Sequence, residues 1–273
     1  MSVAQRLRTP AFEARRRELP TMYELPSEDP QEPGLPDEFH LHQPQLLSET
    51  FRPPQLDPST LFCASDLNLY YDPDHLLWHK RPDWFAGVGT SRLYEGRDLR
   101  DSFVVWHEPA LPFLIVELLS PGTEAEDLGR RAAPDTSRSE APPTKWRVYE
   151  ELLQIPYYVT YSRHSGELHL FRWSNGRYRA QSPEDGRLWM PEIQLGLGLW
   201  RGMFKGLERD WLCFYNAQGW LPSLEAQAEA ARRQVEQERQ RAAQARQQAE
   251  QERRRAEELA AKLRALGIDP DGL

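Results

Sequence analysis

Apolar and polar positions divide the 273-residue chain into three stretches of different periodicity. Between Leu61 and Tyr215, short apolar runs recur between turn residues. LFCASDLNLYY (61–71), PDWFAGVG (82–89) and PFLIVELLSPGT (112–123) read as strands. The last is nearly continuous, the pattern of a strand buried on both faces. Alternation puts Phe113, Ile115, Glu117 and Leu119 on one of its faces. KWRVYEELL (145–153) has Trp146, Tyr149 and Leu153 at spacings of three and four, which predicts a helix. PYYVTYS (156–162) and ELHLFRWS (167–174) predict a hairpin turning at Gly166, and RYRAQS (177–182) and GLGLWRGMF (196–204) predict further strands. Strands, a helix and strands again predict an α/β core around a mixed sheet.

Outside that core the pattern changes twice. From Leu224, alternating steps of four and three reach Leu266 through thirteen positions, eleven of them apolar, and EQERQRA (236–242) recurs as EQERRRA (250–256). This predicts a long C-terminal helix with a coiled-coil seam, through which the chain would form a homo-oligomer. The alternative is a charged helix standing free in solvent. At the other end, ten of the 23 prolines fall in the first 58 residues. LPSEDPQEPGLPDE (25–38) predicts an extended lead-in that wraps the body or is partly disordered. HQPQLLSETF (42–51) predicts a short helix with Pro44 in its first turn. The expected organisation is an N-terminal extension over 1–36, a domain over 37–220 and a coiled-coil helix over 221–267.

Composition narrows the setting. No run approaches 18 apolar residues, so no membrane span is expected. The first twenty residues lack the apolar segment of a secretory signal, and Cys63 and Cys213 sit among apolar neighbours as two thiols, so a cytoplasmic protein is expected. Net charge is −8; the segment 221–273 holds ten of the 34 basic and ten of the 42 acidic residues, so the body carries the whole excess. A broad basic footprint for nucleic acid is absent, and any nucleic-acid chemistry must be local.

One residue breaks the pattern. Glu117 lies inside the apolar run at 112–119, and burying an ionised carboxylate costs several kcal/mol unless it is paired, protonated or metal-bound. Asp83 likewise leads directly into an apolar run. Two carboxylates at one end of neighbouring strands form a hard oxygen site suited to Mg²⁺ or Mn²⁺. Both acids have a structural alternative, Asp83 as a turn cap after Pro82 and Glu117 as the partner of a buried arginine such as Arg81. Lys145, which opens the predicted helix at 145–153, reads on its own as an exposed residue of a first helical turn. Asp66 and Glu49 are weaker candidates. The histidines, His40 and His42 among them, show no ligand spacing. Trp189, Trp200, Trp211 and Trp220 read as packing residues.

RPDWFAGVG, FLIVELLSPGT, EDLG and TKWRVYEELLQIPYYV, in that order, resemble the Uma-type putative restriction endonuclease family of the PD-(D/E)XK nuclease superfamily. The resemblance implies a restriction-endonuclease-like core and a Mg²⁺-dependent endonuclease acting on DNA, with Asp83 and Glu117 as metal-binding acids. The superfamily's lysine normally follows the glutamate by two residues, where this chain has Leu119. A lysine four before a tyrosine on the next helix takes its place in this family, and Lys145 and Tyr149 fit that spacing. About fifteen residues separate the Asp-Leu-Gly at 127–129 from the helix, so Asp127 is expected to fall outside the site. The rival reading is a catalytically inert nuclease-like adaptor that recruits partners through its coiled coil.

Overall fold

The computed structural model describes residues 2–7, 9–21, 24–25, 37–119, 127–129, 141–182 and 186–265. The chain divides into two units, Met1–Leu221 and Pro222–Leu273.

The first unit opens with α1 (Val3–Arg6), α2 (Pro10–Arg16) and α3 (Glu38–Thr50). Strands β1 (Leu61–Ala64), β2 (Leu69–Tyr70), β3 (His79–Lys80), β4 (Trp84–Val88), β5 (Phe103–Val104) and β6 (Pro112–Leu118) follow. Then come α4 (Lys145–Arg147, running into a π-helical turn Val148–Leu152), β7 (Tyr157–Tyr161), β8 (Leu168–Ser174) and β9 (Arg177–Gln181). The unit ends with β10 (Arg187–Met190), β11 (Leu195–Phe204), β12 (Leu207–Asn216) and β13 (Gly219–Trp220).

The central sheet has the order β1-β4-β6-β7-β8-β9 and is mixed: β6 and β7 run parallel, and the other neighbours antiparallel. A parallel pair needs a crossover, and the chain from 119 to 156, with α4, supplies it. β6 lies in the middle, buried on both sides as its composition predicts. Phe85, Ile115 and Tyr158 face one cluster with Val148, Tyr149, Leu153 and Ile155. Trp84, Ala86, Leu114, Val116 and Val159 face the other, with Leu46 and Leu47 of α3 and Leu197, Trp211 and Phe214 of a second sheet ordered β10-β11-β12-β13. Phe113 departs from the predicted alternation: it joins that second cluster and its ring lies 5.1 Å from that of Tyr157.

Three other expectations are adjusted. The apolar stretch 61–71 is two strands in different sheets, β1 in the central sheet and β2 in the small sheet β3-β2-β5; Asp66, at φ 54°, lies in the break. The short N-terminal helix is longer than predicted, because Asp37 caps it by accepting from His40 N. Pro44 is therefore interior rather than in the first turn, and having no N–H it leaves the His40 carbonyl without a helical donor. The chain ahead of the proline-rich lead-in is a packed arm, with Phe12 and Leu19 buried in the core and Trp106 Nε1 donating to Pro20 O. Leu25, the first residue of the lead-in, is buried with them. Residues 26–36 of that segment lie outside the described residues.

Gln43 docks α3 on the second sheet by acting as a surrogate strand residue. Its side-chain amide donates to Leu212 O at 2.8 Å and accepts from Leu212 N at 2.9 Å. In the second unit, α5 (Leu224–Ala265) is one continuous helix, capped by Ser223 Oγ and carrying i,i+4 pairs such as Glu229–Arg233 and Glu250–Arg254. The last predicted seam position, Leu266, lies outside the described residues. No helix among the described residues is long and apolar enough to cross a membrane.

Candidate functional site

In the β4–β6 register Trp84 faces Val116, so Asp83 and Glu117 meet at the same end of two antiparallel strands. Asp83 N donates toward Glu117 Oε2 at 3.4 Å, and Asp83 Oδ2 accepts from Leu118 N at 2.6 Å. Thr144 caps α4 by accepting from Arg147 N, which starts the helix at Lys145. Lys145 Nζ then reaches Glu117 Oε2 at 2.9 Å, while Tyr149 Oη, one turn on, donates to Glu117 Oε1 at 2.9 Å. Glu117 is fully buried and both of its oxygens are engaged. These two partners answer the burial cost that the sequence raises; Arg81 pairs with Asp66, at 2.9 Å.

The three residues singled out in the sequence thus come together, and a fourth joins them. Asp127 is buried with Oδ1 3.3 Å from Lys145 Nζ, contrary to the expectation that the long insertion removes it from the site. Tyr158 of β7 holds its backbone by donating to Asp127 O at 2.8 Å. Gly129 explains why this segment returns to the helix: at φ +65° it lies so close to Trp146 that a Cβ would fall 2.7 Å from the ring. Sequence separation hid this contact. The available signal was the glycine, two residues after Asp127, together with the helix's tryptophan.

The resulting cluster is three carboxylates around one ammonium. Burial pushes the Glu117 carboxyl well above its ordinary range; Lys145 pulls it down, while Asp127 and Asp83 add to the rise. Asp83 is also raised by burial, against the opposing effects of Lys145 and the Leu118 N–H. Burial alone would depress Lys145, but Glu117, Asp127 and Asp83 outweigh it, and its affinity for the proton increases. Lys145 is therefore a firmly protonated cation, and its side chain, 20% exposed, is more accessible than those of Glu117 and Asp127, the carboxylates that pair with it. The Tyr149 hydroxyl is held neutral by burial and by the adjacent Glu117 charge. Asp127 Oδ1, although near Lys145, has no well-aligned hydrogen-bond donor among the described residues.

Leu119, in the position the superfamily usually gives to lysine, is buried, and its N–H donates to Tyr161 O. The amine arrives instead from the crossover helix. His40, set aside on sequence spacing, touches the backbone beside the site: Nε2 lies 3.0 Å from Leu118 O and Nδ1 lies 2.9 Å from Asp37 Oδ1. Asp66 belongs to the turn after β1, and Glu49 accepts from Gln45 on α3. Trp211 is fully buried, consistent with a packing role.

Comparisons with known proteins bear on this arrangement. A search of curated proteins finds no match. Among solved structures, a putative nuclease from Anabaena variabilis is similar, with 11% identity and a TM-score of 0.34, over 50% of this chain and 62% of that one. The family model Uma2, described as "Putative restriction endonuclease", matches residues 10–204, a span that contains Asp83, Glu117, Asp127 and Lys145. By that match, the chain belongs to the putative restriction endonuclease family Uma2.

Proposed function

We propose that this protein is a divalent-cation-dependent endonuclease that hydrolyses phosphodiester bonds in DNA. The observation that carries this reading is the charge of the buried cluster: Asp83, Glu117 and Asp127 face a single cation, Lys145. Ionisation of all three carboxylates against one ammonium would leave two negative charges in excess, which a divalent cation would neutralise. Without that cation, burial draws Asp83 and Glu117 toward their protonated forms. The donors fit Mg²⁺ or Mn²⁺, being hard oxygens, and Asp83 and Glu117 would hold the ion. Among the described residues no three such side chains form a ready-made metal cage. Mg²⁺ does not need one, since it keeps several waters and takes one or two carboxylates together with substrate phosphate. When bound, the ion would supply charge neutralisation on the phosphodiester and acidify a coordinated water.

The chain's own residues do the rest. Lys145, protonated and part-buried, would present positive charge where a phosphoryl oxygen gains negative charge. Tyr149 fixes the rotamer of Glu117 by occupying Oε1. DNA is the proposed substrate on the strength of the family. The heptad seam of α5 would pair two chains and so bring two sites to the two strands of a duplex.

The test is plasmid cleavage with Mg²⁺ or Mn²⁺ by the parent, Asp83→Ala and Glu117→Ala, alongside cation-induced thermal shifts. Cleavage by the parent that is lost in both variants supports the reading. No cleavage and no thermal shift would overturn it in favour of an inert adaptor acting through its coiled coil. Truncation after Leu221 is expected to reduce the mass in solution to that of a monomer, and an unchanged oligomeric state would remove the helix from this account.

A further inference from the structure

The Pro82-Asp83 pair does more than present an acid: it ends a hydrogen-bond ladder. Continuing the register from Trp84–Val116 sets Pro82 opposite Leu118. Pro82 has no N–H to give, and its carbonyl accepts from Asp66 N at 3.1 Å. The N–H and C=O of Leu118, buried at the end of β6, therefore lose their strand partners and must find others. Side chains replace them. Asp83 Oδ2 accepts from Leu118 N at 2.6 Å, and His40 Nε2 meets Leu118 O at 3.0 Å.

His40 is itself held. It is buried, and its Nδ1 faces Asp37 Oδ1 at 2.9 Å; Arg163 binds the other carboxylate oxygen of Asp37 at 2.8 Å. Against a desolvation that would raise it, hydrogen bonds from the His40 side chain and backbone hold the Asp37 carboxyl down to about 2, so it is an acceptor at neutral pH. A peptide carbonyl only accepts, so at this contact His40 Nε2 is the donor to Leu118 O. The chain Arg163–Asp37–His40–Leu118–Asp83 thus runs from the loop after β7 through the cap of α3 to the first acid of the site.

We propose that His40 is a positioning residue for Asp83: by clamping the Leu118 carbonyl it fixes the residue whose own N–H orients the Asp83 carboxylate for cation binding. This rests on the metal reading of Asp83 and Glu117. Groups bonded directly to a metal ligand typically govern affinity by 10–100-fold, and His40, acting through Leu118, is expected at the lower end of that range.

Two substitutions in the full-length chain separate the ring's two contacts. In His40→Gln the side-chain amide reaches far enough to donate to Leu118 O. In His40→Asn it can satisfy only the Asp37 side. Mn²⁺ titration is expected to give a dissociation constant raised about tenfold or more for His40→Asn and within about threefold of the parent for His40→Gln. Amide hydrogen exchange read by NMR provides a measure independent of metal: Leu118 N–H should exchange faster in His40→Asn and stay protected in His40→Gln. Equal losses in both variants, or unchanged Leu118 protection in His40→Asn, would overturn the proposal. If the parent binds no Mn²⁺, the metal reading fails and His40 is no longer a positioning residue for a cation site; the exchange data then decide whether the clamp itself exists.

Discussion

Two buried ionic clusters in the first unit share their chemistry and differ in their arithmetic. Arg100 and Glu108 are one cation and one anion, with side chains 3% and 1% exposed, joined through Nε at 2.6 Å and Nη2 at 2.8 Å. The remaining donor capacity of Arg100 goes to Ser91 O and Arg92 O, and its guanidinium lies 4.4 Å from the Phe62 ring centre. Every charge there is balanced inside the protein. At Glu117 the same protein gathers Asp83 and Asp127 around Lys145 and leaves the balance open. Burial is thus no mark of function by itself. A pair that closes on itself tethers the loop between β4 and β6, whereas the set at Glu117 holds more acids than bases, and its buried carboxyls bind protons more tightly.

The contrast is most strongly tested at Arg100. Arg100→Ala strands Glu108 in the core and is expected to cost about 3–5 kcal/mol in urea unfolding; a loss below about 1 kcal/mol would erase the distinction. Next, Mn²⁺ at about 100 times its dissociation constant should stabilise the parent by about 2.7 kcal/mol and leave Asp83→Asn unmoved. Gly129→Ala drives a Cβ toward Trp146 at a positive φ, so it should cost about 1–2 kcal/mol and weaken Mn²⁺ binding as Asp127 shifts. Least in size but opposite in sign, Glu117→Gln keeps the shape and removes one excess charge. It should leave the metal-free protein as stable as the parent, or more stable by up to about 1 kcal/mol.

The same imbalance sets a pH dependence. Asp83 and Glu117 bind protons more tightly folded than unfolded, from ordinary values of 3.8 and 4.5. Protonation therefore favours the fold. Their contribution is greatest below those ordinary values and is lost as pH rises through the elevated folded ones. Metal-free parent should lose stability across that window, and Glu117→Gln should lose less; chemical denaturation at stepped pH measures both slopes.

Much of this was legible in the sequence because it depends on local pattern. An acid inside FLIVEL marks a buried carboxylate, and a lysine four before a tyrosine puts both on one helical face. What escaped depends on contacts between segments far apart in the chain. Asp127 returns because Gly129 nests on Trp146, and His40 arrives because α3 packs against the end of β6. Alternation could not show that 61–71 changes sheets at Asp66, and it left β12 unassigned: LERDWLCFYN has polar residues at one end and a continuous apolar run at the other. The heptad pattern predicted α5 well, since a helix of that length follows from its own residues.

The π turn at Val148–Leu152 carries a consequence of a different kind. Leu153 N bonds to Val148 O and Ile155 N to Tyr149 O, so this turn holds more residues than an α-helical one. Lys145 precedes this turn and Tyr149 lies near its start, both meeting Glu117, while Leu153 and Ile155 follow it and are anchored in the core. The spacing between anchor and site is therefore a matter of counting. Deleting one residue from this turn would let the helix close in regular α geometry and swing Lys145 and Tyr149 away from Glu117 without altering either side chain. At this point the site is sensitive to the length of the chain as well as to its letters.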